Sequence, residues 1–508
     1  MTTVLRRSRI LDAGGRRMLV PATRHVRARW DAAQTSVDNV RHWTMADSLS
    51  ADAANSPAIR KMIRERGRYE VANNGWARSM VSTLAHEVIG TGPRLQILTG
   101  SAEADNWLER QFAAWCFKIN LGRKFRTMRI AKAVDGEGLA LHVNNRRLGD
   151  VQLDLRLFET EHLATPGMFL GPNQVDGIDL DENGNPDRYH ILKHHPGGSE
   201  WGVNPDEEIT PPPVPEEVIH IFRHDRPGQH RGVSELASAL PLFSRLRRYT
   251  LAVLQSAENV AEWTMFLKTR QPEAGEFQVP RSGDTANEPS SYETMDAIDI
   301  ERGMMTVLPE DTEPFQLKPE QPSTTHGDFI RVTLAEAFAA LCLPYSVGAF
   351  DSSQENFASG KLTRQGFKRA VQIERVVDWD PVVVATFWAW FSEAKATIPT
   401  ELRAAMGDPS SWDIAVRWDG VEDIDPEKAA RARKAELESG QTGIPRIYTE
   451  KGLDFEPEQE MNAKALGLTV EKYREMLREK LLGPSAPAPG QATNNGASEE
   501  DNVAVSQA

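Results

Sequence analysis

The sequence predicts an α+β protein of several domains, whose body is interrupted by two long helices bracketing a small, acidic, β-rich insertion. Three observations carry this expectation. Long segments repeat apolar residues at three- and four-residue spacing, as amphipathic helices do. Shorter segments alternate apolar and polar residues, as half-buried antiparallel strands do. Charge is also unevenly spread along the chain. The formal net charge of the 508 residues is −14, yet residues 1–41 hold nine arginines against three aspartates and no lysine. Residues 263–322 hold five basic and twelve acidic groups. Such asymmetry points to partners more than a net value does, and the acidic total argues against a general nucleic-acid binder.

Length implies roughly two to four domains. The 40% hydrophobic and 26% charged content are those of an ordinary globular chain, which sets aside fibrous and wholly disordered classes. Cys116 and Cys342 are far apart and form no CxxC, so a disulfide framework, a zinc ribbon and a redox motif are not expected, and a reducing cytosol fits. No apolar run follows the basic N-terminus and no 18-residue apolar segment occurs, so neither a signal peptide nor a membrane span is expected.

Residues 1–54 read as a basic arm with too little periodic apolar content for a core. Ser56 and Pro57 then suit the cap and first turn of a helix. Asn73-Asn74-Gly75 interrupts it. A second helix begins near Trp76, with Met80, Val81, Leu84 and Val88 on the same face as Trp76. Gly90-Thr91-Gly92 ends that helix; a phosphate loop would precede a helix, so a helix-to-strand turn is expected. Trp107, Leu108, Phe112 and Trp115 mark another helix, and residues 139–143 and 151–159 alternate as strands.

Asp179 to Asn185 match the first part of a calcium-loop pattern, but His190 stands where a bidentate Glu is required. A β-hairpin with a polar turn is expected instead. His190, His194 and His195 lack acidic partners at metal-ligand spacing and read as structural. "PPPVP" (211–215) stiffens the approach to a strand at 218–222. A long helix follows, striped by Leu242, Leu246, Tyr249, Val253, Ala257 and Val260. Residues 263–269 look strand-like and 270–300 turn-rich. "MMTVL" and "FQLK" are expected to form a hairpin around Pro309–Pro314.

The helix around 327–342 carries Phe329, Ile330, Val332, Leu334, Phe338 and Leu341 on more than one side, so it needs neighbours on two faces, and Pro344 breaks it. Residues 380–394 form an aromatic helix and 412–418 a strand. Asp425 and Pro426 open a helix that ends at Gly440. A last helix is expected from 459 to 482, before a low-complexity tail, 484–508, read as disordered.

No GxSxG, Walker A, HExxH or strand-borne GxGxxG occurs. Asp135, Glu137, Glu159 and Glu161 could hold magnesium, as in a nuclease. The plainer expectation is that "DGE" is a helix-to-strand turn with solvated acids. No cofactor and no metal are expected.

The clearest anomaly lies at residues 361–375, where five basic residues face one acid, Glu374. Lys361, Arg364 and Lys368 fall at i, i+3 and i+7 on one helical face, which Arg369 and Arg375 broaden. The opposite face, Leu362, Phe367 and Val371, is apolar enough to be packed. A small polar loop, "SSQENFASG", precedes the helix. One reading is a solvated helix face. The other is contact with phosphate backbones, without sequence preference.

Three segments in order resemble the portal proteins of tailed double-stranded DNA bacteriophages, specifically the lambda-like family. "YEVANNGWARSMVSTLAHEVIGTGPRLQ", "VIHIFRHDRPGQHRGVSELASAL" and "FAALCLPYSVGAFDSSQENFASGKLTRQGFKR" are similar to its successive signatures, and the resemblance spans about residues 55–455. It implies a multidomain portal fold assembling as a ring, usually of twelve subunits, at one capsid vertex of the virion. Double-stranded DNA would be pumped in through this ring and would later leave through it.

The resemblance implies a wing (55–235), stem helices (236–262 and 323–343), a clip (263–322) and a crown (419–483). Residues 344–418 would supply a tunnel loop, a long helix and a strand returning to the wing. The tunnel loop, 345–358, would line the channel through Ser352, Ser353, Gln354 and Asn356, with Lys361, Arg364, Lys368 and Arg369 gripping phosphates behind it. Implied partners are further copies of the chain, the terminase large subunit, a head–tail adaptor and a major capsid or scaffold protein. The rival readings are a metal-dependent nuclease using Asp135, Glu137 and Glu159, and a monomeric nucleic-acid-binding adaptor using the arginine-rich arm.

Overall fold

The computed structural model describes residues 41, 43–44, 46–165, 171, 173–199, 204, 206–262, 266–269, 277–278, 291–292, 312–315, 325–420, 425–453 and 455–482. Residues 1–40 of the basic arm and the tail from 483 lie outside them. The chain divides into two units, Met1–Ala54 and Asn55–Ala508. In the first, a single described turn of helix, α1 (Ala51–Ala54), closes through the Ala54 N–H donating to the Ser50 carbonyl.

The second unit opens with α2 (Pro57–Asn73), capped by an extended Ser56 with Pro57 in the first turn. Asn74 is itself extended, and its side chain accepts the Trp76 N–H at 3.0 Å, which starts α3 (Gly75–Ile89). Met80, Val81, Leu84 and Val88 are buried as their spacing requires. Trp76 departs from that face: it is 39% exposed and lines a surface groove with Phe243 and Arg247. Gly90 and Gly92 take φ of +57° and +121°, conformations that favour glycine, and turn the chain into β1 (Arg94–Leu98).

Next come α4 (Ala102–Lys118) and α5 (Leu121–Asp135), then β2 (Glu137–Asn144) and β3 (Leu153–Phe158). The short strands β4 (Gln174–Val175), β5 (Ile178–Leu180) and β6 (Pro186–Tyr189) form a small antiparallel sheet. Between β5 and β6, Asp181 accepts the Asn183 and Asn185 N–H groups, which makes a turn rather than a calcium loop. β7 (Val218–Phe222) returns to β2, giving the antiparallel order β3-β2-β7.

The long helix α6 (Leu240–Glu262) leads to β8 (Phe266–Thr269), β9 (Phe277–Gln278), β10 (Ser291–Tyr292) and β11 (Thr312–Phe315). The expected hairpin around Pro309–Pro314 is not how the described residues pair. Pro314 lies inside β11, which pairs antiparallel with β8, and β9 pairs with β10. Met304–Leu308 lies outside the described residues. Proline without an N–H fits a strand that has only one described neighbour.

α7 (His326–Ala339) packs on α6, with Tyr249 4.6 Å from Phe329 and hydrogen-bonded to His326 at 3.1 Å. Then follow α8 (Tyr345–Gly348), α9 (Phe357–Glu374), a π-helical turn at Arg375–Trp379 and α10 (Asp380–Ala394). α11 (Thr400–Ala405) precedes β12 (Asp413–Arg417), which pairs antiparallel with β1. The chain ends its described course in α12 (Pro426–Glu438), α13 (Ile444–Glu450), α14 (Phe455–Ala465) and α15 (Val470–Leu482). The single last helix expected at 459–482 is therefore two. Gly467 takes φ of +68° between them, a conformation no helix interior accepts.

One large core joins α3, α4, α5, α7 and α10. Its densest part is aromatic: Phe112 of α4 meets Phe387 and Trp390 of α10 edge-on, at 5.5 and 5.4 Å. Each such side chain stabilises the fold by about 1.5–3 kcal/mol through burial alone.

Candidate nucleic-acid interface

The cationic helix is α9, and the sequence marks its start. The Asn356 side chain accepts the Ser359 N–H at 2.8 Å, while the Ser359 hydroxyl accepts the Asn356 N–H at 3.0 Å, a reciprocal cap. The loop before it is held locally. Asp351 accepts the Ser353 N–H at 3.0 Å, and the Ser346 hydroxyl donates to Glu355 at 2.9 Å. Ser352, Ser353, Gln354 and Asn356 all stand exposed on this loop.

Phe367 and Val371 are the residues α9 buries. Leu362, expected on the packed face, is 71% exposed. At 3.6 residues per turn it lies well away from Phe367, beside Gly366, Arg369 and Ile373. Lys361, Arg364 and Lys368 share one flank of the helix. Arg364 meets Glu87 at 3.8 Å, while Lys361 and Lys368 have no ion-pair partner among the described residues. The structure thus keeps three of the expected cations together and separates Arg369 from them.

Arg375 does not broaden the stripe. Its Nε and Nη2 donate to the Val88 and Glu87 carbonyls at 2.8 and 2.7 Å, closing the C-terminus of α3, and it stacks over Trp418. Glu374 also turns inward, 2.6 Å from Arg129 and 3.1 Å from Lys132. Burial works to raise the Glu374 pKa, but Arg129 and Lys132 outweigh it and hold the carboxylate below its usual range. The one acid of this segment is thereby removed from the surface, which leaves Lys361 and Lys368 without an ion-pair partner among the described residues beside an Arg364 that reaches Glu87.

The acids of "DGE" are not solvated. Glu137 is 1% exposed, bound bidentately by Arg231 at 2.8 and 2.9 Å and by the Gly232 N–H. Burial opposes its charge, yet Arg231 and His220 hold its pKa well below the ordinary carboxylate value. Asp135 receives two bonds from Arg68, at 2.7 and 2.9 Å, although burial leaves its pKa raised. The same guanidinium reaches Glu159 at 3.2 Å and Glu161 at 2.8 Å. A magnesium ion among these acids would have to displace Arg68. Sequence reasoning missed these three networks because Arg68, Arg129 and Arg231 are remote from their partners along the chain.

His195 comes within 3.3 Å of Glu159 and 3.7 Å of Glu161, a grouping compact enough for a cation. Its Nδ1, however, accepts the Gly197 N–H at 2.9 Å, which leaves the ring proton on Nε2, the atom facing the acids. Arg64 and Arg68 occupy Glu161 already. His190 is likewise structural, held between Glu208 at 2.8 Å and Asp179 at 3.0 Å. Among the described residues, no helix is long and apolar enough to cross a membrane.

The candidate catalytic acids of this α+β body are held by arginines, and Lys361 and Lys368 of α9 have no ion-pair partner among the described residues. The sequence pattern of the family described as phage portal protein, lambda family, matches residues 38–375, and the chain belongs to that family of non-enzymatic structural components. No curated protein matches the chain. Among solved structures, the virion of a native gene transfer agent particle matches at 14% identity over 82% of this chain and 99% of that chain, with a TM-score of 0.43. The neck of the native particle, computed with C12 symmetry, matches at 14% identity over 78% and 94%, with a TM-score of 0.41. The neck of an empty particle, computed with C6 symmetry, matches at 14% identity over 76% and 92%, with a TM-score of 0.43.

Proposed function

We propose that this portal protein forms a ring, of twelve copies as the family resemblance implies, at one vertex of a phage capsid. Duplex DNA passes through the ring during packaging by the terminase large subunit and again on ejection. A head–tail adaptor docks on the outer end, and a capsid or scaffold protein surrounds it. The stem corresponds to 236–262 and 323–343, containing α6 and α7. The clip corresponds to 263–322, the wing to 55–235 and the crown to 419–483.

The observation that carries this reading is the outward apolar surface of the stem pair. Leu251 and Leu254 of α6 are 59% and 55% exposed, and Val332 of α7 is 64% exposed, so these helices are finished only by neighbours. For the channel, the exposed loop of Ser352, Ser353, Gln354 and Asn356 lines the lumen. Lys361, Arg364 and Lys368, repeated around the ring, grip phosphates at one level.

Negative-stain electron microscopy of the purified chain tests the assembly: top views show rings with a hole wide enough for duplex DNA. Small particles persisting at all salt and protein concentrations would return the monomeric adaptor to first place. The channel assignment is tested separately by the triple variant Lys361→Ala, Arg364→Ala, Lys368→Ala, which assembles rings but packages or retains DNA poorly. Wild-type packaging by that variant would remove these residues from the channel.

A further inference from the structure

The helices that end the described chain enclose a cavity that the proposed function does not use. It measures about 310 Å³ and is walled by half-buried Leu437 of α12, Ile444 of α13, Phe455 of α14 and Leu477 of α15. Its lining also holds three cations, Lys434, Arg474 and Arg478, against one acid, Glu438. Arg474 is engaged: its Nε donates to the Gln459 side chain at 2.6 Å, its Nη2 lies 3.3 Å from Glu456, and its guanidinium sits over the Phe455 ring. Lys434 approaches Glu438 at 3.7 Å, with both side chains well exposed. Arg478 has no ion-pair partner among the described residues.

These helices are short of apolar packing. Among the described residues α12 buries none, and the buried apolar residues of α12 to α15 are Ala463 and Tyr473. A helix of 13 residues with so little packing is marginal in water. Leu437 of α12 lines the cavity, so an apolar occupant there would supply the missing contact. The chain itself continues from the cavity's edge. Arg478 stands four residues before Leu482, about 6 Å along a helix, and residues 483–508 follow. Residues 484–498 carry no charge and no apolar side chain larger than proline. Glu499, Glu500 and Asp501 then bring three acids without a base, and Val503 and Val505 come next. In an extended backbone, residues two apart face the same side.

We infer that residues 499–505 fold back onto this cavity, with Val503 and Val505 seated among Leu437, Ile444, Phe455 and Leu477, and the acids meeting Lys434 and Arg478. Both halves of the segment are matched. The cationic lining receives the acidic run, and the apolar walls receive the two valines. Residues 483–498 act as the tether. A flexible linker of that length spans roughly 20–24 Å on average and up to about 50 Å when extended. Attachment this close raises the effective concentration to the order of millimolar, so a contact of modest intrinsic affinity is well populated. A nucleic-acid strand would satisfy the cations but would leave Leu437 and Phe455 uncovered, which favours an acidic peptide that also carries apolar side chains. The inference goes beyond the ring reading and does not depend on it, because every part of the contact belongs to one subunit.

Amide hydrogen exchange over α12 and α15 tests this in the full chain. Ending the chain after Ser498 is expected to speed exchange there several-fold. Exchange in α4 and α10 is expected to stay as it was, which shows that the remainder is folded. The double substitution Val503→Ser, Val505→Ser in the full chain is expected to act as the truncation does. A synthetic peptide of residues 497–507, labelled for fluorescence anisotropy, is expected to bind the shortened chain, less tightly as salt rises and less tightly to its Arg478→Glu variant. Exchange unchanged by both the truncation and the valine substitutions would overturn the inference. So would a peptide that binds equally well with both valines replaced by serine. Slow exchange restored to the shortened chain by duplex DNA, and not by the peptide, would give the cavity to nucleic acid and overturn it too.

Discussion

At the residue scale the most informative group is Glu137, because a buried carboxylate is stable only when it is paired. Arg231 and the Gly232 N–H supply that pairing, and Arg231→Ala would strand the charge at 1% exposure. We expect this variant to lose about 3–5 kcal/mol in urea unfolding. The sign with pH follows from the lowered folded pKa of Glu137. Its contribution is complete above the unfolded carboxylate value and disappears as pH falls through the folded one. His190 behaves in the opposite sense. Burial works to lower its pKa, but Glu208 and Asp179 outweigh it and raise it above the ordinary 6.5. Its stabilisation is complete below that value and is lost as pH rises through the folded pKa. The stability gap between wild type and His190→Gln should therefore be wider at pH 5.5 to 6 than at pH 8.5, read by thermal unfolding at both ends; an equal gap would contradict the assignment.

At the scale of elements, α9 shows what a single sequence carries and what it leaves open. Its period and its start were legible, and the Asn356–Ser359 cap lies where the polar loop ends. Asn356→Ala should destabilise this end of the helix by about 1 kcal/mol, seen as faster amide exchange over the first turn. Which face packs inward was not legible. Phe367 with Val371 and Leu362 with Ile373 make apolar rows of similar quality, and only the position of α3 and α5 decides between them. The same limit applies to Arg375 and Glu374, whose partners Val88, Arg129 and Lys132 lie far away in sequence. Residue type announced a charge but not its direction. The flank of Lys361, Arg364 and Lys368 leads to a salt-dependent expectation. Replacing these three with alanine should flatten the fall of DNA affinity with salt, by roughly 0.9 in the logarithmic slope for each phosphate left unneutralised. An unchanged slope in fluorescence anisotropy would speak against phosphate binding by this flank.

At the scale of the whole molecule, the core holds together parts of the chain that are remote in sequence. Phe112 packs on Phe387, and a Phe387→Ala variant should lose about 3–5 kcal/mol, visible as a lowered unfolding midpoint. The α+β class and most helices could be read ahead of the structure because periodicity is local. The pairing of β8 with β11 could not, since nothing local in Thr312–Phe315 names Phe266–Thr269 as its neighbour. Among the described residues the longest-range pairing, β1 with β12, reaches beyond architecture to the order in which the chain is made. Arg94–Leu98 leaves the ribosome long before Asp413–Arg417 exists, and at about 5–20 residues per second the wait is on the order of tens of seconds. Throughout that interval β1 is a strand whose hydrogen-bonding edge lacks its final partner, with Leu95 and Ile97 dependent on α4 for shelter. Biosynthesis of this chain thus has a vulnerable period that ends only when β12 emerges, well after residues 55–235 have been translated.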